Sequence, residues 1–222
     1  MENSVIKFSQ RKIKKNYRSI TGHFPSIKNN TSLSFESKLE KAHFLVLEFD
    51  NEVISYQEQP QIEIFFNGKN QIYSADCYIK RVKNASKKDS IVEVKYINEI
   101  EKDKEYFEKR FEAATISANK LNLDFEIYTD EIHTEIYLDN LDFLYRYKLY
   151  PIENRYENQI INLVEQNKKI SAFDLANLIS QNLIDYPTIS NCIWDLVCKE
   201  KLKSDLQSAK VTMNSFVELA CE

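Results

Sequence analysis

The chain has 222 residues, of which 43% are hydrophobic and 29% charged, and a formal net charge of −4. This is ordinary globular composition, enough for one large domain or two small ones. No apolar run approaches the ~20 residues of a membrane helix, and Met1-Glu2-Asn3-Ser4 starts no signal-peptide pattern. The four cysteines (Cys77, Cys192, Cys198, Cys221) show no CxxC spacing. The expectation is a cytoplasmic protein with reduced thiols, no zinc site and no membrane contact.

Charge is unevenly placed. Within residues 1–30, Lys7, Arg11, Lys12, Lys14, Lys15, Arg18 and Lys28 face Glu2 alone, so the rest of the chain is acidic. A basic N-terminal arm suits a polyanion, because each neutralised phosphate releases counterions. A solvated tail is the equal alternative. The arm ends in the loop-like run Asn29-Asn30-Thr31-Ser32.

Ser34 can cap a helix over about 35–49, with Phe35, Leu39, Ala42, Val46 and Phe49 as its buried stripe. Three strands follow. The first, 53–59, ends at Pro60, and the next two, 61–66 and 70–79, flank the Asn67-Gly68 hairpin signal. A basic loop over 80–88 leads to a valine- and isoleucine-rich strand over 90–97. Then come a long helix over 102–121, a strand over 124–129 and a helix over 134–147. This order predicts an α/β fold with a mixed sheet flanked by helices.

Pro151 marks the expected boundary to a smaller helical domain. Helices are predicted over 155–167, over 172–181 behind the capping box Ser171-Ala-Phe-Asp174, and over 187–200 behind Pro187. Strands over 202–206 and 210–216 complete a winged-helix-like outline. The third of these helices is not basic, since Asp195 and Glu200 offset Lys199. That favours protein binding over DNA reading, with Trp194 either an anchor or a core residue.

The chemistry-bearing residues are acidic and basic side chains on separate elements. Glu40 lies on the first helix, Asp76 near the end of a hairpin arm, and Glu93-Val94-Lys95 on a strand where Glu93 and Lys95 share a face. Isolated charges on an interior strand are costly unless paired or metal-bound. Metal coordination by Asp76, Glu93 and the Val94 carbonyl, with Glu40 as a further carboxylate, would resolve that cost. Lys95 would then stabilise phosphate charge, and the set predicts metal-assisted phosphodiester cleavage. An ExK triplet alone would more often be a surface charge pair; Asp76 and Glu40 tip the balance. Lys80, Arg81, Lys83, Lys87 and Lys88, between two of these strands, are candidate DNA-backbone contacts, with a solvated loop as the alternative. His43, one turn after Glu40, is expected to be structural, and Cys77 to face the core.

Several stretches together resemble the TnsA transposon-end endonucleases. They are 39–50 (LEKAHFLVLEFD), 53–60 (VISYQEQP), Tyr73-Ser-Ala-Asp76, Val92-Glu93-Val94-Lys95, Tyr128-Thr-Asp-Glu-Ile132 and Asn140-Leu-Asp-Phe-Leu-Tyr145. The resemblance spans about 31–148. It implies a restriction-endonuclease-like fold with a PD-(D/E)xK site, in which Glu40, Asp76 and Glu93 are acidic ligands and Lys95 is the catalytic lysine. Gln59 is an active-site neighbour, Ala75 replaces the family's proline, and some members carry glutamine at the place of Glu93. It also implies Mg²⁺ (or Mn²⁺) as cofactor and double-stranded transposon ends as substrate, cut at the 5′ ends. The implied partners are a TnsB-like DDE transposase and a TnsC-like AAA+ ATPase, the latter contacted by the C-terminal domain. The domains expected are a basic arm (1–30), a nuclease domain (31–150) and a winged-helix-like domain (151–222). The rival expectations are a stand-alone repair or restriction nuclease and a non-catalytic DNA-binding adaptor.

Overall fold

The computed structural model describes residues 6–8 and 20–220. Arg11, Lys12, Lys14, Lys15 and Arg18 of the basic arm therefore lie outside the described residues. Lys7 begins a two-residue strand, β1 (Lys7–Phe8). The expected loop before residue 32 is instead a hairpin of β2 (Gly22–Ser26) and β3 (Thr31–Phe35). Phe24, Leu33 and Phe35 are its buried residues, an alternation that local loop signals at Asn29-Asn30 concealed. Those asparagines form the turn, with Asn30 at φ 50. Gly22 is required for closeness: a Cβ there would stand 2.6 Å from the Phe35 ring.

Because Ser34 and Phe35 are strand residues, the first helix starts later than its pattern predicts. Ser37 accepts a hydrogen bond from the Glu40 N–H (3.0 Å) and caps α1 (Lys38–Phe49). Its buried face includes Leu39, Phe44, Leu45, Leu47 and also Glu48, whereas Ala42, Val46 and Phe49 are half-buried. Glu48 is tolerated inside because Ser26 and Tyr56 both donate to its carboxylate, at 2.6 and 2.8 Å. Those bonds lock α1 to the hairpin and to the next strand.

That strand is β4 (Val53–Glu58), followed by β5 (Pro60–Phe66), β6 (Lys69–Ser74), β7 (Cys77–Arg81) and β8 (Ser90–Val94). Helices α2 (Ile97–Lys102) and α3 (Lys104–Lys120) and strand β9 (Asp124–Tyr128) follow. The single strand expected over 70–79 is two strands, and the long helix expected over 102–121 is α3, preceded by the short α2 where a strand end and a loop are expected. The main sheet has the order β4-β7-β8-β9, antiparallel except for the β8–β9 pair. A second sheet, β1-β5-β6, is closed by Asn67 and Gly68 at φ 50 and 76, as the turn requires. Ile62, Ile64, Phe66, Tyr73 and Ile91 form a core against which α3 packs through Ala114 and Ala118.

The two sheets share their chain. β4 passes into β5 at Gln59, whose φ is 56, and β6 passes into β7 at Ala75-Asp76. The crossing points stay bonded to each other, Gln59 N–H to the Asp76 carbonyl and Ala75 N–H to the Pro60 carbonyl, both 3.0 Å.

Arg81 ends β7 and is buried, 8% exposed. It pairs with Glu126 (2.9 Å) and Asp50 (3.4 Å) and donates to the Lys88 carbonyl. The expectation of an Arg81–DNA contact is thus corrected: the guanidinium is committed inside the unit. Lys87 is also drawn to Glu126, at 2.6 Å, while Lys80, Lys83 and Lys88 are exposed. Replacing Arg81 with alanine strands a partly buried acid pair and should cost about 3 kcal/mol. An unchanged urea midpoint would contradict this placement.

The chain divides into units Met1–Ile132 and His133–Glu222. The boundary precedes Pro151 because α4 (Glu135–Leu149), capped by Thr134, belongs to the second unit. After it come α5 (Glu157–Asn167), β10 (Lys169–Ser171), α6 (Ala172–Ile179), α7 (Tyr186–Cys198), β11 (Leu202–Ser204) and β12 (Phe216–Leu219). The strands form an antiparallel sheet ordered β10-β12-β11. Ser171 caps α6 as its motif predicts, accepting from Asp174 N–H at 3.0 Å. The ribbon's second strand comes later than 210–216, and β10 is too short to carry a local signal.

Helix α4 covers α7. Phe143 meets Trp194 edge-on at 5.7 Å, and the Tyr147 hydroxyl donates to Asn191 at 3.1 Å. Trp194 is 3% exposed, so of its two expected roles it takes core packing. Asn140, also on α4 and buried, donates to the carbonyls of Leu206 and Ala209 and accepts from Val211 N–H, all within 2.9 Å. One side chain thereby fixes the connection between β11 and β12.

Candidate active site

Each sequence-predicted residue is positioned by a different feature of the first unit. Glu40 is held by the first turn of α1, where its carboxylate accepts from the Glu36 N–H at 2.9 Å. Asp76 occupies the point where the chain passes from β6 in one sheet to β7 in the other. Its Oδ2 accepts from the Val94 N–H at 2.7 Å, so its carboxylate is docked on the end of β8. Glu93 and Lys95 alternate on the same face there, with Lys95 Nζ 3.8 Å from Glu93 and 3.8 Å from Glu99. The Val94 backbone thus meets the site through its N–H. Lys95 N–H is used to bond the Tyr128 carbonyl at 2.9 Å, which extends the β8–β9 ladder.

A cavity of about 420 Å³ opens beside Asp76. Its wall includes Glu36, Glu40, Glu58, Gln59, Asp76 and Arg110. Gln59 stands beside Asp76 in this wall. Glu93 and Lys95 do not line the cavity; they join it through the Asp76–Val94 bond and through electrostatics. Glu93 is tied on its other side to Tyr73, whose hydroxyl donates to Oε2 at 2.7 Å.

The carboxylates feel one another. Burial raises the Asp76 pKa to about 8, with the Glu93 charge adding to the effect and Glu40 contributing further. Burial also raises Glu93, against the opposing pull of the Tyr73 hydroxyl and Lys95. Glu40 is raised chiefly by burial, with Glu36 and Glu93 adding repulsion. Tyr73 is pushed above its ordinary range by burial and by Glu93, which keeps it a proton donor.

Among the described residues, no three His, Cys, Asp or Glu side chains stand ready-made as a metal cage. The donor chemistry nevertheless fits a hard divalent cation: half-buried oxygen ligands whose mutual repulsion a cation would relieve. His43 is buried against Tyr128, ring centres 4.6 Å apart, as expected of a structural histidine. Cys77 is fully buried, on the core side.

Four residues of the cavity and its surroundings are not singled out by the sequence. Glu58 lies inside the quoted Glu-Gln-Pro motif, and that motif could have pointed to it. Glu36 precedes the true helix cap, which the apolar pattern puts too early. Tyr73 likewise lies inside the quoted Tyr73-Ser-Ala-Asp76 stretch, whereas Arg110 carries no local signal, because only the fold brings α3 to the cavity.

A mixed sheet bearing half-buried carboxylates and a lysine at one strand end, faced by a helix-borne glutamate, has the features of a nuclease-like α/β fold. Residues 50–130 match the family model described as TnsA-like endonuclease N terminal, and the match supports a TnsA-family endonuclease. Gln59, Asp76, Glu93 and Lys95 fall inside the matched span; Glu40 and the β2–β3 hairpin precede it. No curated protein matches the chain.

Proposed function

We propose that this protein is a Mg²⁺-dependent DNA endonuclease, with Mn²⁺ also competent, that cuts the 5′ ends of a transposon. It would act as the TnsA subunit of a cut-and-paste heteromeric transposase. The observation that carries the reading is the docking of Asp76 on the Glu93-Val94-Lys95 strand end, inside a segment matching a TnsA-like endonuclease. Asp76, Glu93 and Glu40, with the Val94 carbonyl, would hold the ion. A bound divalent cation supplies Lewis acidity and a water of lowered pKa. Lys95 contributes a positive charge for the developing phosphate charge, and its 3.8 Å distance from Glu93 keeps it at the site. Tyr73 orients Glu93 as an outer hydrogen-bond donor.

The second unit reads as a winged helix, supported by the order α5-β10-α6-α7-β11-β12 and by its sheet order. Its would-be recognition helix α7 is covered by α4, which supports a protein-binding role. The turn before α7 exposes Leu183 and Ile184, an apolar tip suited to a protein surface such as a TnsC-like ATPase. The DNA-cutting partner would be a TnsB-like DDE transposase acting on the 3′ ends.

The test is cleavage of end-labelled transposon DNA with and without both partners. The expected result is 5′-end cutting that needs a divalent cation and the partners. Partner-independent cutting would instead point to a stand-alone nuclease. The lack of a ready-made three-ligand cage among the described residues favours a second reading, a non-catalytic DNA-binding adaptor. Absence of any thermal shift with Mg²⁺ or Mn²⁺ would support that adaptor.

A further inference from the structure

The cavity beside Asp76 contains one charge of the opposite sign. Glu36, Glu40, Glu58 and Asp76 share its wall with Arg110, from α3. Among the described residues Arg110 forms no ion pair. Its guanidinium lies over the Tyr73 ring, 5.0 Å from the centroid, and over Tyr106 at 5.7 Å, and it donates through Nη1 to the Tyr106 hydroxyl. The Tyr73 ring and the Tyr106 hydroxyl therefore hold the guanidinium in place while further N–H donors remain uncommitted by hydrogen bonds. Lys95 differs, because it already stands 3.8 Å from both Glu93 and Glu99.

Four carboxylates around a cavity repel a polyanion. A cation held rigidly in that same wall offsets the repulsion and presents planar donors, the arrangement that matches phosphate oxygens. We propose that Arg110 is a DNA-binding residue that grips a backbone phosphate next to the scissile one, its fork pre-set by the Tyr73 ring and the Tyr106 hydroxyl. The proposal rests on the nuclease reading for the identity of the anion. Since Tyr73 also donates to Glu93 at 2.7 Å, the phosphate grip and the acidic site share one aromatic support.

The test compares full-length wild type with Arg110→Met, which keeps apolar contact with both rings, and with Arg110→Lys, which keeps the charge. Binding of a labelled duplex is measured across a KCl series without divalent cation, and cleavage is measured with saturating Mg²⁺. Loss of one phosphate contact should flatten the slope of log K against log[salt] by about 0.9 in Arg110→Met. Arg110→Lys should retain the wild-type slope, and Arg110→Met should lower kcat/KM by roughly tenfold to a hundredfold. A merely structural arginine would lower the melting temperature of Arg110→Met and leave its salt slope at the wild-type value, which would overturn the proposal. Wild type that binds DNA without ever cutting it would sink the nuclease reading instead. The slope comparison would still decide Arg110.

Discussion

Lys95→Ala and Asp76→Ala should each reduce 5′-end cleavage by on the order of 10³-fold while leaving the protein folded. The expected loss is large because of where each side chain is held. Lys95 is the cation paired with Glu93, and the Asp76 carboxylate bridges the sheet crossing to β8. Stability should suffer little at Lys95, whose side chain is partly exposed and whose ion pairs are long at 3.8 Å. Single-turnover cleavage of labelled transposon ends, beside a circular dichroism melt, reads both quantities. Cleavage by either variant within tenfold of wild type would remove that residue from the reaction.

Asp76→Asn should make the metal-free protein more stable in alkaline buffer while removing its activity. The sign follows from proton binding. In the unfolded chain Asp76 ionises near the ordinary carboxylate value of 3.8, whereas in the folded protein burial and Glu93 raise its pKa to about 8. Across that window the folded state holds a proton the unfolded state has lost, so stability is fullest below about pH 4 and falls as pH rises through 8. Asparagine cannot ionise, and its Oδ1 can still accept the Val94 N–H. The gain at pH 8.5 in EDTA should be about 2–4 kcal/mol, less than the full shift because Glu93 shares the strain. Near pH 4 the difference should vanish. Urea titrations at the two pH values check this, and an Asp76→Asn protein less stable than wild type at pH 8.5 would contradict the electrostatics. Mg²⁺ should narrow the gap by stabilising wild type alone.

The features legible in the sequence and those hidden from it divide along physical lines. Asn67-Gly68, the Ser171 cap and the alternating strands are legible because each is a local rule: positive φ at a turn, an oxygen on an orphan N–H, a period of two. The Glu93–Lys95 pairing is legible for the same reason. The β2–β3 hairpin is hidden because its asparagine turn resembles a loop and its three buried positions need a partner strand to make sense. The split of 70–79 into two strands depends on Asp76 bonding Val94, a contact across the sheet that no window around residue 76 contains. Arg81 reads as part of a basic surface until the fold brings Glu126 and Asp50, 45 and 31 residues away, to enclose it. Arg110 reaches the cavity only because α3 lies across β5 and β9. Long-range placement, not residue chemistry, is hidden in a single sequence.

The most direct test is anomalous scattering from crystals of the protein soaked in Mn²⁺. The expected result is a manganese peak within coordination distance, about 2.2 Å, of carboxylate oxygens from both Asp76 and Glu93, lost in Asp76→Ala crystals. Crystals that take up no ion between those two side chains, at Mn²⁺ levels that support cleavage in solution, would contradict it.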